Sequence, residues 1–239
     1  SCAGCSAVYS DQAYELHQFE QAFVDGDEYL LADRTAQAIR SYQRALDALK
    51  SIEPNGPRTA TVNWRIGTAY LKAADTAKAT EYLTKSISTF EKCHKPERWV
   101  QYQHGLALSD LGSACEQSGK PEQSAKLYRR AVETFLTADH SRASIDSDAA
   151  LKRQLVRCYS AIAKIERALG HTEEAAQSQD LAANLSTVDR AQSKDQLLAM
   201  ALKKANKLKR HRNFFEAIET LDPLIDRKQL GSSLKQQEA

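Results

Sequence analysis

Glycine, proline and long apolar runs are all scarce in this sequence. Its 239 residues include 9 glycines and 5 prolines, the two residues that most often interrupt helices. Alanine, leucine, glutamine, lysine and glutamate are abundant instead, and these side chains lose little rotamer freedom in a helix. The composition therefore favours an all-α chain. No stretch reaches the roughly 18 consecutive apolar residues of a membrane-spanning helix, so we predict no transmembrane segment.

A strong charge imbalance and the common catalytic motifs are also missing. The 33 basic and 31 acidic residues give a net charge of +2, which argues against a protein whose main role is to wrap nucleic acid. The six histidines are scattered without an HExxH pair, and there is no glycine-rich phosphate loop. We therefore predict no enzymatic activity, no cofactor and no metal site.

Three of the five cysteines, Cys93, Cys115 and Cys158, lie far apart within helical patterns. A free cysteine in such a pattern usually behaves as a small buried apolar residue. Their spacing matches neither a disulfide framework nor a zinc site.

The other two cysteines, Cys2 and Cys5, lie in a short segment of small residues at the start of the chain. This segment resembles the end of a bacterial lipoprotein signal, in which a cysteine is acylated after cleavage. We predict lipidation of Cys2, with Cys5 as the second candidate. A redox CxxC, a metal half-site and a cloning remnant remain alternatives. Lipidation would place the protein in the bacterial periplasm, tethered to the outer membrane; the alternative location is cytoplasmic.

The remaining chain predicts helices in pairs, separated by proline, glycine or polar breaks. Residues 1–10 are predicted as a flexible N-terminal segment, 11–227 as one helical domain and 228–239 as a frayed tail. The predicted helices are 12–31, 35–52, 59–71, 76–92, 97–117, 121–136, 147–169, 172–185, 189–211 and 214–227.

Small residues recur at fixed spacing through these pairs. A small residue within a helix lets a second helix approach closely, so the pattern predicts helical hairpins. An aromatic residue, such as Tyr42, Tyr82 or Tyr128, often comes shortly before the third small position. The first small positions are Gly26, Gly67, Gly112, Ala163 and Ala205; twelve residues later come Ala38, Ala79, Ser124, Ala175 and Ala217; seven after those come Ala45, Ser86, Ala131 and Ala182, with Leu224 as the one departure.

This pattern resembles the tetratricopeptide repeat over roughly residues 12–227. The third hairpin matches best, with Leu108, Leu111-Gly112, Gly119, Ser124, Tyr128 and Ala131 at the family's positions. The resemblance implies an all-α, right-handed α-solenoid of about five hairpins, in which the first helix of each hairpin lines a concave groove. The spacing between hairpins exceeds the family's ~34 residues, so we predict long helices or loops.

The resemblance also implies that partners bind to the first helices. Mapping the family's contact positions predicts a groove that becomes basic towards its far end and attracts an acidic protein segment. For the run 203–212, a solvated helix face is the alternative. The predicted partner-binding residues are Trp64, Arg65, Arg157, Lys164, Arg167, Lys203, Asn206, Lys209 and Arg210.

The leading hypothesis is a non-enzymatic scaffold that holds a protein or peptide in this groove, in a bacterial envelope assembly. The alternative is a soluble regulatory sensor for a small peptide or ligand. A third hypothesis, nucleic-acid binding by residues 203–212, would show a steep salt dependence but lacks interleaved aromatic residues for stacking. The last hairpin lacks a polar capping helix, so the apolar residues Leu221, Leu224 and Ile225 further predict self-association through the last helix; coverage by a different partner or by further native chain are the alternatives.

Overall fold

The computed structural model describes residues 3–94, 96–138 and 148–186. These residues form eight α-helices and no β-strand. The helices are α1 (Ala3–Leu31), α2 (Thr35–Leu49), α3 (Pro57–Lys72), α4 (Thr76–Glu91), α5 (Arg98–Gln117), α6 (Pro121–Ala138), α7 (Ala149–Ala168) and α8 (Thr172–Ser186). The first helix begins earlier than the predicted residue 12, and the other bounds agree with the prediction to within a few residues.

The described residues form two compact units, 3–94 and 96–186. In the first unit, α1 pairs with α2, α3 pairs with α4, and α2 packs against α3. In the second unit, α5 pairs with α6, α7 pairs with α8, and α6 packs against α7. Each unit therefore consists of two helical hairpins packed side by side, and the predicted all-α hairpin architecture is confirmed. The predicted fifth hairpin lies outside the described residues.

The glycines of the first three hairpins lie where the two helices of the hairpin are in close contact. A Cβ atom added to Gly67 would stand 2.6 Å from Leu83 Cγ, and one added to Gly112 would stand 3.2 Å from the Tyr128 ring. A Cβ atom at Gly26 would overlap the Tyr42 ring. The contacted residue comes sixteen positions later each time, and in the second hairpin it is Leu83 rather than an aromatic residue. The later small positions of the four hairpins are all buried: Ala38, Ala45, Ala79, Ser86, Ser124, Ala131, Ala175 and Ala182.

Two of these small positions are serines, and each hydroxyl is bonded to the partner helix. Ser86 Oγ donates to the carbonyl oxygen of Ala60 at 2.7 Å, and Ser124 Oγ donates to that of Gly112, also at 2.7 Å. A buried hydroxyl without an acceptor would cost free energy. Serine can therefore take the place of alanine at these two positions because a main-chain carbonyl of the partner helix accepts its hydroxyl hydrogen.

A residue in the left-handed backbone region turns the chain between the two helices of each hairpin. These residues are Asp33, Ala74, Gly119 and Gly170, with φ of 62°, 60°, 70° and 87°. The residue after each one donates its N–H to the carbonyl five positions earlier, as Arg34 does to Tyr29 at 2.8 Å, the bond of a Schellman motif. Glycine adopts this region without steric cost, whereas Asp33 and Ala74 adopt it with a side chain.

The first helices of the middle hairpins are buried on nearly all sides. Residues 60–69 of α3 and 105–112 of α5 are all buried. Cys115 and Cys158 are buried as predicted, whereas Cys93 is half-buried. Burial raises the pKa of the Cys158 thiol to about 11. The polar residues within the buried stretches of α3 and α5, such as Arg65 and Asp110, are therefore shielded from solvent.

Candidate interaction surface

Two of the predicted partner-binding residues, Trp64 and Arg65, lie inside the first unit. Each is only 1% exposed. The Arg65 guanidinium lies 4.4 Å from the centroid of the Trp64 ring, and Arg65 Nε lies 3.2 Å from Asp27 Oδ1. The predicted surface position of these two residues is therefore wrong, because the family's contact positions on α3 are enclosed by neighbouring helices in this chain.

Asp27 joins three helices of the first unit at this point. Its Oδ1 accepts a hydrogen bond from Tyr42 Oη at 2.5 Å, and its Oδ2 lies 3.5 Å from Arg65 Nη2. Burial raises the pKa of the Asp27 carboxyl, although the Arg65 charge and the Tyr42 hydrogen bond oppose this shift. The cluster links α1, α2 and α3, and it takes up the Arg65 charge that was expected to face a partner.

The other cations of α3 are also matched by acidic residues. Lys72 Nζ lies 2.8 Å from Asp33 Oδ1 and 2.9 Å from the carbonyl oxygen of Leu30. Arg58 Nη1 lies 3.1 Å from Glu53 Oε2. Every basic side chain of α3 therefore has an acidic partner in the same unit.

In the second unit, α7 carries a stripe of basic residues. Arg153, Arg157, Ser160, Lys164 and Arg167 recur every three or four positions and so share one helix face, which we name the α7 basic face. Arg153, Ser160, Lys164 and Arg167 are exposed, and Arg157 is half-buried. The structure thus brings the predicted residues Arg157, Lys164 and Arg167 together and adds Arg153, which the mapping from the repeat did not include.

Two cations of the α7 basic face pair with acids of α5. Arg157 Nη2 lies 3.0 Å from Oδ1 of Asp110, whose side chain is fully buried. Lys164 Nζ lies 2.6 Å from Glu116 Oε1, and 74% of the Lys164 side chain is exposed. Within the described part of the chain, no acidic side chain pairs with Arg153 or Arg167. The α7 basic face therefore carries uncompensated positive charge at its two ends among the described residues, and the positive charges between them are paired with acids of α5.

A second ion-pair cluster lies on the opposite side of α7. Glu166, the only acidic residue of α7, is 3% exposed and accepts from Arg129 of α6. Its Oε2 lies 2.6 Å from His171 Nδ1. Burial alone would raise the pKa of Glu166, but the hydrogen bond from His171 and the charge of Arg129 lower it overall. Because Glu166 faces α6, it does not offset the α7 basic face.

The remaining predicted site residues, Cys2, Lys203, Asn206, Lys209 and Arg210, lie outside the described residues. The described residues contain no group of three or more histidine, cysteine, aspartate or glutamate side chains that could hold a metal ion. None of the helices searched in that part of the chain is long and apolar enough to cross a membrane.

Comparison with known families identifies the repeats. Two family models, both described as tetratricopeptide repeat, match residues 27–92 and 107–134. These two stretches of the chain are tetratricopeptide repeats. The first match covers the end of α1 and all of α2, α3 and α4. The second covers most of the α5–α6 hairpin, including Gly112 and Ser124.

Similar proteins are found among both sequences and structures. Protein KINESIN LIGHT CHAIN-RELATED 3 of Arabidopsis thaliana is 29% identical over 123 residues, which cover 48% of this chain and 18% of that protein. This chain therefore corresponds to less than a fifth of that relative.

Two crystal structures of nearly identical TPR-like repeats, from a protein of Podosopora anserina described as a kinesin light chain, have a similar fold. One aligns with a TM-score of 0.54 over 89% of this chain and 93% of the other. The second, a single-residue variant of the same repeats, aligns with a TM-score of 0.55 over 95% and 98%. Sequence identity is 16% in both cases, so these likenesses support the fold alone.

Proposed function

We propose that this chain is a non-enzymatic interaction module that binds a protein or peptide through the faces that its first helices leave exposed, above all that of α7. The observation that carries the proposal is the α7 basic face, a row of exposed polar side chains on the first helix of a tetratricopeptide repeat. The second helices of the hairpins turn their small residues inward to pack, so the regular spacing of those residues along the chain serves the fold. Association of tetratricopeptide repeats with protein partners agrees with this reading.

Site-specific photo-crosslinking tests the proposal. A photoreactive amino acid is placed at the exposed position Ser160 of α7 and, separately, at the exposed position Lys126 of α6, a second helix. Crosslinking is carried out in the native source, and each captured protein is then produced in pure form and titrated against the unlabelled chain. We expect a saturable partner from Ser160 and none from Lys126.

The proposal would be refuted if the proteins captured at Ser160 failed to bind when purified. It would also be refuted if Lys126 captured the same partners with equal yield, since binding would then not involve the first helices. A small peptide captured in place of a protein would favour the regulatory sensor, which binds on the same surface.

We further propose the envelope location as a separate hypothesis, because it depends only on the small residues around Cys2 and Cys5. Metabolic labelling of the native gene product with an alkyne-tagged fatty acid tests it. Replacement of Cys2 by serine should abolish the label, whereas the matched replacement of Cys5 should preserve it. A labelled Cys2→Ser variant would instead assign the lipid to another residue, and an unlabelled wild type would favour the cytoplasmic alternative.

A further inference from the structure

We propose that the α7 basic face recognises an acidic peptide segment whose negative charges form two groups about 20 Å apart. Arg153 binds one group and Arg167 binds the other. The inference rests on the proposed function and specifies the chemistry of the partner at this surface.

The surplus of positive charge on α7 is the first argument. The helix contains five basic residues and one acidic residue, and that acid, Glu166, is buried towards α6. On α3, by contrast, each of the three basic residues is matched by an acid within its own unit. Both α3 and α7 are first helices of hairpins. The positive charge is compensated on α3 in the first unit and is in excess on α7 in the second.

The two ion pairs within the face differ in how easily they can open. Arg157 is 20% exposed and is held on the fully buried Asp110 carboxylate, so moving it would leave a buried charge unpaired. Lys164 is 74% exposed, and its pair with Glu116 is a surface pair, which contributes little to stability. Lys164 can therefore turn from Glu116 to a partner carboxylate, whereas Arg157 remains with Asp110.

The spacing of the uncompensated arginines sets the dimension of the partner. Arg153 and Arg167 are fourteen positions apart in α7, which corresponds to about 21 Å at the helical rise of ~1.5 Å per residue. An extended peptide covers this distance in about six residues at ~3.3 Å each. Acidic groups with that separation can contact both arginines at once, with Lys164 available between them.

Charge and composition favour a peptide over nucleic acid. Duplex DNA carries about one charge per 1.7 Å, and its binding proteins commonly neutralise several phosphates. The α7 basic face instead offers two cations that lack an acidic partner among the residues that the structure describes. Binding of single strands relies on exposed aromatic platforms, but Tyr159, the one aromatic residue of α7, is only partly exposed. The low surplus of charge fits a short acidic segment.

Fluorescence anisotropy with two labelled peptides tests the inference on the full chain. Both peptides contain four glutamates in a glycine-serine background. In the spaced peptide the glutamates form two pairs whose centres are six residues apart, and in the clustered peptide they are contiguous. The protein variants are Arg153→Glu with Arg167→Glu and, as a control with the same change in net charge, Lys92→Glu with Lys126→Glu. All four positions are exposed, and circular dichroism checks that each variant folds.

We expect the spaced peptide to bind roughly five-fold more tightly than the clustered peptide at low salt. The Arg153→Glu, Arg167→Glu variant should lose about ten-fold or more in affinity for the spaced peptide, and the control variant should lose about two-fold or less. Addition of salt should weaken every complex.

Three results would overturn the inference: equal affinity for the two peptides, equal losses in the two variants, or tighter binding of a twelve-nucleotide oligothymidine with the same dependence on Arg153 and Arg167. A partner captured at Ser160 that bound the Arg153→Glu, Arg167→Glu variant as tightly as wild type would also overturn it. That last result would leave the proposed function intact, because binding through the first helices would stand.

Discussion

Replacement of Arg65 by methionine should destabilise the first unit by about 3 kcal/mol at pH 7, because it leaves one partner of a buried ion pair alone. Methionine keeps an unbranched apolar side chain beside Trp64, so little packing is lost. Of the side chains described in this cluster, only the Tyr42 hydroxyl would still contact the Asp27 carboxyl.

The destabilisation should also depend on pH. Burial already raises the pKa of Asp27 in the wild type, and loss of the Arg65 charge should raise it further. A raised folded-state pKa of an acid means that the stability it contributes is fully present below the unfolded pKa and is lost as pH rises through the folded pKa. The Arg65→Met variant should therefore be closer to wild type at pH 5 than at pH 7.

Urea unfolding followed by tryptophan fluorescence measures this effect. The chain contains two tryptophans, so a Trp99→Phe background leaves Trp64 as the reporter of the first unit. Arg44→Met is the matched control: Arg44 Nη2 lies 3.6 Å from Asp25 Oδ2, with the two side chains 64% and 28% exposed. Because surface pairs contribute about 1 kcal/mol or less, the control should cost far less than Arg65→Met.

A double-mutant cycle with Asp27→Asn completes the test. Asparagine keeps an oxygen that can accept from Tyr42 and removes the charge left behind by Arg65→Met. The double variant should be more stable than the sum of the single effects predicts, with a coupling of about 1–3 kcal/mol. Strict additivity, or a cost of Arg65→Met no larger than that of the Arg44→Met control, would refute the reasoning.

Three further predictions concern hairpin packing, turns and pH. Gly67→Ala should lower the melting temperature more than Gly112→Ala, because the added Cβ meets its neighbour at 2.6 Å rather than 3.2 Å; equal shifts would contradict this. Ala74→Gly should stabilise the chain by about 1 kcal/mol and Gly170→Ala should destabilise it similarly, since both positions are left-handed; thermal unfolding that shows the opposite signs would refute the strain argument. The lowered pKa of Glu166 means that its stability contribution is present above the unfolded pKa and lost as pH falls through the folded pKa. Wild type should therefore lose more unfolding free energy than Glu166→Gln between about pH 5 and pH 3, and parallel curves in urea titrations would argue against it.

Most of the fold follows from the sequence because hairpin packing is local. The residues that must be small, such as Gly112 and Ser124, and the residue that fills the space, Tyr128, lie within sixteen positions of one another. Such spacings are visible as a repeat along the chain. The turns are harder to read from the sequence: Asp33 and Ala74 adopt the left-handed backbone, although neither residue gives the signal that a glycine would.

The candidate site followed from the sequence only in part. Periodicity and the resemblance to tetratricopeptide repeats placed Arg157, Lys164 and Arg167 on one face of a first helix, and the structure confirms that placement. The same mapping put Trp64 and Arg65 on a surface, although the neighbouring helices enclose α3. A helical pattern identifies which residues share a face, but burial depends on every element that packs against that face.

The sequence by itself determined the all-α class, the hairpin unit and the positions that require small residues, since each depends on contacts between residues close in the chain. Only the tertiary structure decided which charges remain available. Asp27 and Arg65 are separated by 38 residues, and Asp110 and Arg157 by 47, and neither spacing matches the repeat. Those two pairings occupy the predicted basic residues Arg65 and Arg157. Among the described residues, the surplus of positive charge on α7 is left on Arg153 and Arg167.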